Sequence, residues 1–356
     1  MGYVGWIGGN LGVSDAARYH KVESQIVGEL LSLGAVPFCK TSLPQTLLFG
    51  ETKNNLIGQT LNPNNQHLSC GGSSGGEGAL QALRGSTLGL GTDIGGSVRI
   101  PAAFNGIFSM KPTPERVSYR DVANTNPGQN TYRSTVGFLS TSLGGLELVL
   151  RSVLSTKPWL RDPAVVPIPF RQDIVDAYLS RARPDGSATD SAPPLKLGVL
   201  WSDGVVGVHP PVRRGLKMVV EAVVSGGHQV RDSTPNWPGP TSPNEVQVVE
   251  WKPPPQQTAK RVHLSFLKAD GAHDIHAQLD LSGEPLIPDL RHSFELRHPL
   301  GLLDYQSNTL QGLEYEILYS EAWNATGDSD GVFHCFVLSD HHLMGELTTV
   351  ASRADC

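Results

Sequence analysis

Between positions 71 and 106 the chain reads GGSSGGEGALQALRGSTLGLGTDIGGSVRIPAAFNG, its densest run of glycine. Glycine inside a helix or strand costs about 0.5–1 kcal/mol relative to alanine, so a run like this marks loops where the backbone has to turn sharply. Glu77 to Leu83 is the one stretch that reads as a short helix, following the first glycine cluster. Each cluster carries a serine, Ser73 in the first and Ser97 in the second, with that helix and a strand between them. Any fold for this chain has to accommodate two glycine-lined serine loops.

The remaining sequence alternates helix and strand, the pattern of an α/β protein. Ser14-Asp15 can cap a helix whose apolar positions Val22, Ile26, Val27, Leu30 and Leu31 recur at helical spacing, and Gly34 sits where such a helix ends. Ala35 to Cys39 then reads as a short buried strand. Farther on, Leu195–Trp201 is a predicted strand, Pro210-Pro211 opens a helix that Gly226-Gly227 stops, and His228–Val230 returns as a strand parallel to the first. The polar stretch 181–194 and the proline-rich stretch 233–257 read as loops or linkers, and there is no fixed-period repeat.

Composition narrows the function. With 28 Lys+Arg against 34 Asp+Glu, the net charge is −6 and no basic block appears, which excludes a nucleic-acid binder. No apolar run reaches the ~18 residues that a membrane-crossing helix needs. The first 15 residues lack a secretory pattern, and the four cysteines (Cys39, Cys70, Cys335, Cys356) have no pairing motif. The expectation is a soluble cytoplasmic protein with reduced thiols.

Three chemistries compete for the glycine loops. A phosphate cradle needs a lysine that GGSSGG lacks, and Glu77 stands where an anion would be repelled. The nucleophile-elbow pattern fits Ser74 by letter but has no strand before it. Paired serine loops fit best. Thr92-Asp93-Ile94-Gly95-Gly96-Ser97 can turn consecutive N–H groups toward one point, as an oxyanion requires, and a serine can be activated by a base other than histidine. A pair of purely structural turns is the alternative.

The stretch from Gly71 to Pro101, continuing to Lys111-Pro112-Thr113, resembles the amidase signature family, specifically its fungal acetamidase-like branch. The likeness extends over Gly34–Phe38, Lys40-Thr41, Pro44-Gln45-Thr46, Gly58–Pro63 and Ser282–Leu286. It implies an α/β amidase-signature fold, a large mixed β-sheet core sandwiched by α-helices. It also implies amide hydrolysis through an acyl ester, with a small-molecule amide as substrate and neither cofactor nor metal. By motif position Ser97 would be the nucleophile and Ser73 the bridging serine with a cis peptide. The N–H groups of Ile94, Gly95, Gly96 and Ser97 would line the oxyanion hole, with Thr92, Asp93 and Arg99 in support. A homodimer is compatible with this resemblance.

Some features depart from the family pattern. The family's catalytic lysine lies in a Lys-Asp segment upstream of the equivalent of Gly2–Trp6, so the chain as written lacks it; Lys21 reads as a surface charge and Lys40 matches a different lysine. Residues 1–326 are expected to form an incomplete amidase domain, core motif 71–113, with 327–356 a divergent tail. His334, Cys335, His341, His342 and Cys356 in that tail fit no zinc spacing. Thr141 stands where many relatives have arginine, Cys70 reads as a buried structural thiol, and His273 and His276 read as surface residues. Two functional readings follow, an active amidase or an inactive relative without its lysine.

Overall fold

The computed structural model describes residues 23–179, 196–203, 205, 207–225, 229–232, 253–326 and 335–338. They gather into two units. In the first, with described residues 23–170 and 263–305, the strand Thr135–Ser140 lies at the centre of a three-stranded antiparallel sheet. On one side it pairs with Gly89–Asp93, Gly91 opposite Gly137 and Asp93 opposite Thr135. On the other it pairs with Phe108–Met110, Met110 opposite Phe138. All six residues of the central strand are buried, so its sequence, TVGFLS, shows no polar alternation.

Val136 and Phe138 pack with Ile26 and Leu30 of the helix Gln25–Ser32 and with Leu146, Val149 and Val153 of the helix Leu143–Ser155. The spacing of those last three places them on one face of their helix. Ser142 caps that helix by accepting from the Gly145 N–H at 3.3 Å. The helix Gln25–Ser32 ends as its sequence predicted. Gly34 takes a φ of +88°, the Ala35 N–H donates to the Leu30 carbonyl and the Gly34 N–H to that of Leu31.

The next expectation fails. Ala35–Cys39 is not a strand, and Val36 and Phe38 are 81% and 64% exposed. A strand is made by its partner, and none pairs with this run among the described residues; it walls a cavity instead.

A second core cluster in this unit joins Leu47 to Ile275, Leu279, Ile287, Leu290 and Phe294. Beside it the buried Gln45 amide is satisfied throughout. Its Nε2 donates to Glu284 Oε1 at 2.7 Å and to the Pro285 carbonyl at 2.9 Å, and its Oε1 accepts from the Ile287 N–H at 2.8 Å. Two segments singled out in the sequence, 44–46 and 282–286, are thereby one contact. His276, expected at the surface, is half-buried, with Nε2 2.8 Å from the Phe294 carbonyl.

In the second unit, Lys196–Leu200 is the middle strand of a parallel sheet between Gln229–Asp232 and Cys335–Leu338. The helix Pro210–Ser225 packs Leu216 and Val220 on Val199 and Trp201. The βαβ pattern is present, with strand boundaries moved by one or two residues. The α/β class expected of the chain is present, and among the described residues the strands form four small sheets, three antiparallel and one parallel. The Ser14-Asp15 cap, the stretch 181–194, the Gly226-Gly227 stop and most of 327–356 lie outside the described residues. Among those described, no helix is long and apolar enough to cross a membrane.

The helix Gly75–Ala82 packs so close to residue 42 that one position accepts only glycine. A Cβ on Gly76 would lie 2.4 Å from the Ser42 nitrogen and 2.5 Å from its carbonyl oxygen. Helix propensity alone would favour alanine there by about 1 kcal/mol. The clash is with backbone, so Gly76→Ala is expected to destabilise by about 1–3 kcal/mol. A urea midpoint at or above that of the wild type would contradict this packing.

Candidate active site

The first serine loop is held from outside its own sequence. Thr52, wholly buried, donates its hydroxyl to the Gly71 carbonyl at 2.8 Å and accepts from the Gly75 N–H at 3.1 Å, bridging the loop. Asn105 Nδ2 donates to the Cys70 and Pro101 carbonyls, both at 2.8 Å. Between these ties the Gly72–Ser73 peptide is cis, as the resemblance implied, and Ser73 and Ser74 are buried.

The second loop is organised by Asp93 at the end of the strand Gly89–Asp93. Its Oδ1 accepts from the Gly96 N–H at 2.7 Å and its Oδ2 from the Val98 N–H at 3.1 Å. Arg99, the first residue of the helix Arg99–Asn105, closes a two-pronged pair, Nε to Oδ2 at 3.0 Å and Nη2 to Oδ1 at 2.8 Å. Burial by itself would raise the Asp93 pKa. The Arg99 hydrogen bonds and charge, with the two backbone donors, outweigh it and hold the carboxyl below its ordinary range. Gly96, at φ +117°, makes the turn that carries the chain over this carboxylate.

The two loops meet where the Ser74 N–H donates to the Ser97 carbonyl at 3.0 Å. Ser97 itself is half-buried, where Ser73 and Ser74 are buried. Of the four N–H groups expected for the oxyanion, that of Gly96 is given to Asp93. Among the described residues nothing accepts from those of Ile94, Gly95 or Ser97.

A cavity of about 890 Å³ opens beside this junction, lined in part by Lys40, Ser74, Glu77, Leu90 and Thr92. The edge of the strand Gly89–Asp93 that faces it has no strand partner among the described residues. The Ser74 hydroxyl, buried at its wall, has no hydrogen-bond partner among them either. Burial raises the Glu77 pKa, opposed by the Thr41 hydroxyl at 2.8 Å and by Gln81. Lys21 lies outside the described residues.

Cys70 is buried and its thiol is pushed up to about 11, so it is no nucleophile. Among the described residues no group of three or more His, Cys, Asp or Glu is placed to hold a metal ion. Sequence reasoning missed Thr52, Asn105 and a buried histidine, His263, which lies against Gly95. No local pattern marks any of the three, because each acts on a segment remote from it in the chain.

Removing Arg99 would strand a buried charge. Arg99→Met is therefore expected to destabilise by about 3–5 kcal/mol, with Arg99→Lys recovering only part because it lacks the planar fork. Asp93 adds to stability above the ordinary carboxylate range, and that contribution is lost as acid takes the carboxyl through its lowered folded-state pKa. Urea titrations at neutral and acidic pH check both statements; an Arg99→Met protein as stable as the wild type would contradict the first.

The amidase family profile matches residues 12–286. The chain is 36% identical to the acetamidase of Emericella nidulans over 335 residues, 93% of this chain and 54% of that protein. To the acetamidase of Aspergillus oryzae it is 35% identical over 332 residues, with the same shares. It thus spans about half the length of the curated relatives it matches. Among solved structures, fatty acid amide hydrolase superposes with a TM-score of 0.76 at 26% identity, over 99% of this chain and 57% of that one. A bacterial aryl acylamidase of the amidase signature family shares the fold, with a TM-score of 0.66 at 18% identity over 99% and 71% of the two chains. The chain belongs to the amidase signature family, in its fungal branch.

Proposed function

We propose that the protein hydrolyses a small carboxylic amide to the acid and ammonia or an amine through an ester on Ser97. The observation that carries this reading is the junction of the two loops, where the 3.0 Å bond from the Ser74 N–H to the Ser97 carbonyl sets the half-buried Ser97 beside the buried Ser73 and Ser74. The Ser97 hydroxyl attacks the amide carbon while its proton passes to Ser73 and on to a base. The N–H groups of Ile94, Gly95 and Ser97 receive the oxyanion, since that of Gly96 is held by Asp93. The proton returns through Ser73 to the nitrogen as the C–N bond breaks. Water then cleaves the ester by the same route and releases the acid.

The base is a neutral lysine in the family pattern, and the Ser74 hydroxyl at the cavity wall, without a partner among the described residues, supports entry of that group from the cavity side. Asp93, Arg99 and Thr92 serve the loop and not the chemistry. A reducing, cytoplasmic setting fits the free thiols of Cys39 and Cys70.

Release of ammonia or amine from a panel of short aliphatic and aryl amides tests the reading. Ser97→Ala is expected to abolish release, and Ser73→Ala to lower kcat by on the order of 10²–10⁴, the range for a lost proton-transfer group. Unchanged turnover in the Ser97→Ala protein would overturn the assignment. A wild-type chain that turns over no amide would leave the inactive relative as the better reading.

A further inference from the structure

His263 belongs to neither serine loop, yet its imidazole closes on the second. It is carried by the helix Gln256–Leu267 and is 4% exposed. A Cβ built on Gly95 would lie 2.9 Å from its Nε2 and 3.4 Å from its Cε1. The ring edge thus rests on the Gly95 backbone, and only a residue without a side chain lets it in so far. From behind, Tyr132 packs against the ring with centroids 4.5 Å apart, and Phe266, one turn along the helix, stacks on Tyr132 at 6.2 Å. Tyr305 in turn meets Phe266 edge-on at 5.1 Å. An aromatic wall therefore drives the imidazole onto the middle residue of the Ile94–Gly96 turn.

We propose that His263 is a positioning residue for this turn, its neutral ring fixing the Gly95 peptide so that the free N–H groups of Ile94, Gly95 and Ser97 keep their directions. Asp93 holds the turn from inside through Gly96, and His263 holds it from outside at Gly95. The catalytic consequence rests on the reading of Ser97 given above; the contact with Gly95 does not.

Neutrality is part of the role. Burial pushes the His263 pKa down to about 4, and the Asp93 carboxylate opposes that shift only partly, because it is already paired with Arg99. Among the described residues, the groups acting on the ring include Asp93 on its strand, Arg99 through that pair, and the Tyr132 phenol. Between the ordinary histidine value of about 6.5 and the lowered one, the unfolded chain takes up a proton that the folded chain refuses. Stability therefore falls as pH drops through that window, and below about 4 a cation forms against the turn.

Two readouts on the intact chain test this. In ¹⁵N-labelled protein the Gly95 amide resonance is expected to move with pH about a midpoint near 4, and to lose that movement in His263→Gln, which keeps a neutral polar group of similar reach. The rate at which a fluorophosphonate phosphonylates Ser97, a P–O bond forming as fluoride leaves, is expected to fall at least ~10-fold in His263→Ala and to stay within ~3-fold in His263→Gln. Gly95→Ala is expected to cost less in the His263→Ala background than alone, because the two changes share one contact. A Gly95 resonance indifferent both to acid and to His263→Gln would overturn the proposal, as would additive effects in the double variant. A wild-type chain that is never phosphonylated would instead count against the hydrolase reading, with the resonance still deciding the role of His263.

Discussion

A carboxylate with no exposed surface would ordinarily take up a proton, because the interior penalises its charge. Asp93 is kept ionised by four donors on its two oxygens, the N–H groups of Gly96 and Val98 and the Nε and Nη2 of Arg99. These donors lie within six residues of Asp93 in sequence, so satisfying the charge and shaping the loop are one event. The chain must double back over the carboxylate, which requires the positive φ of Gly96 and leaves Ser97 at the outer edge of the turn. Removing the charge would loosen that turn and the start of the helix Arg99–Asn105 together.

The first serine loop inherits its position from the second. It is tied to it by the bond between the Ser74 N–H and the Ser97 carbonyl, and braced from the rear by Thr52 and Asn105. The region is an interior built from hydroxyls, carbonyls and amides, where each satisfied group stiffens its neighbours and each unsatisfied one is costly. The few groups left over among the described residues, the N–H groups of Ile94, Gly95 and Ser97 and the Ser74 hydroxyl, are correspondingly informative. Polar groups are left over in this way when their partner arrives with a substrate or from another segment.

Much of this was legible in the sequence, for a reason that can be stated. Asp93 binds Gly96, Val98 and Arg99 across a few residues, so their spacing encodes the geometry of the loop that carries Ser97. The end of the helix Gln25–Ser32 at Gly34 was legible on the same ground. What was not legible depends on distant segments. Thr52 and His263 come from remote parts of the chain, and neither sits in a pattern that signals its task. The strand expected at Ala35–Cys39 failed because apolar, β-branched content marks a capacity for pairing, and the partner decides whether it is used. The surface reading of His276 failed for a related reason, since the carbonyl that receives it belongs to Phe294, well beyond its own helix.

The claim on which the rest turns is that Ser97 carries the acyl group. Trypsin cuts after Arg84 and Arg99, so residues 85–99 isolate Ser97 from Ser73, Ser74 and Cys70, which fall together in residues 54–84. Acid quenching during incubation with an aryl amide, followed by peptide mass mapping, reads the site directly. An acyl mass on residues 85–99, lost in Ser97→Ala, is the expected result. An acyl mass on residues 54–84, or none on any serine peptide, would contradict it.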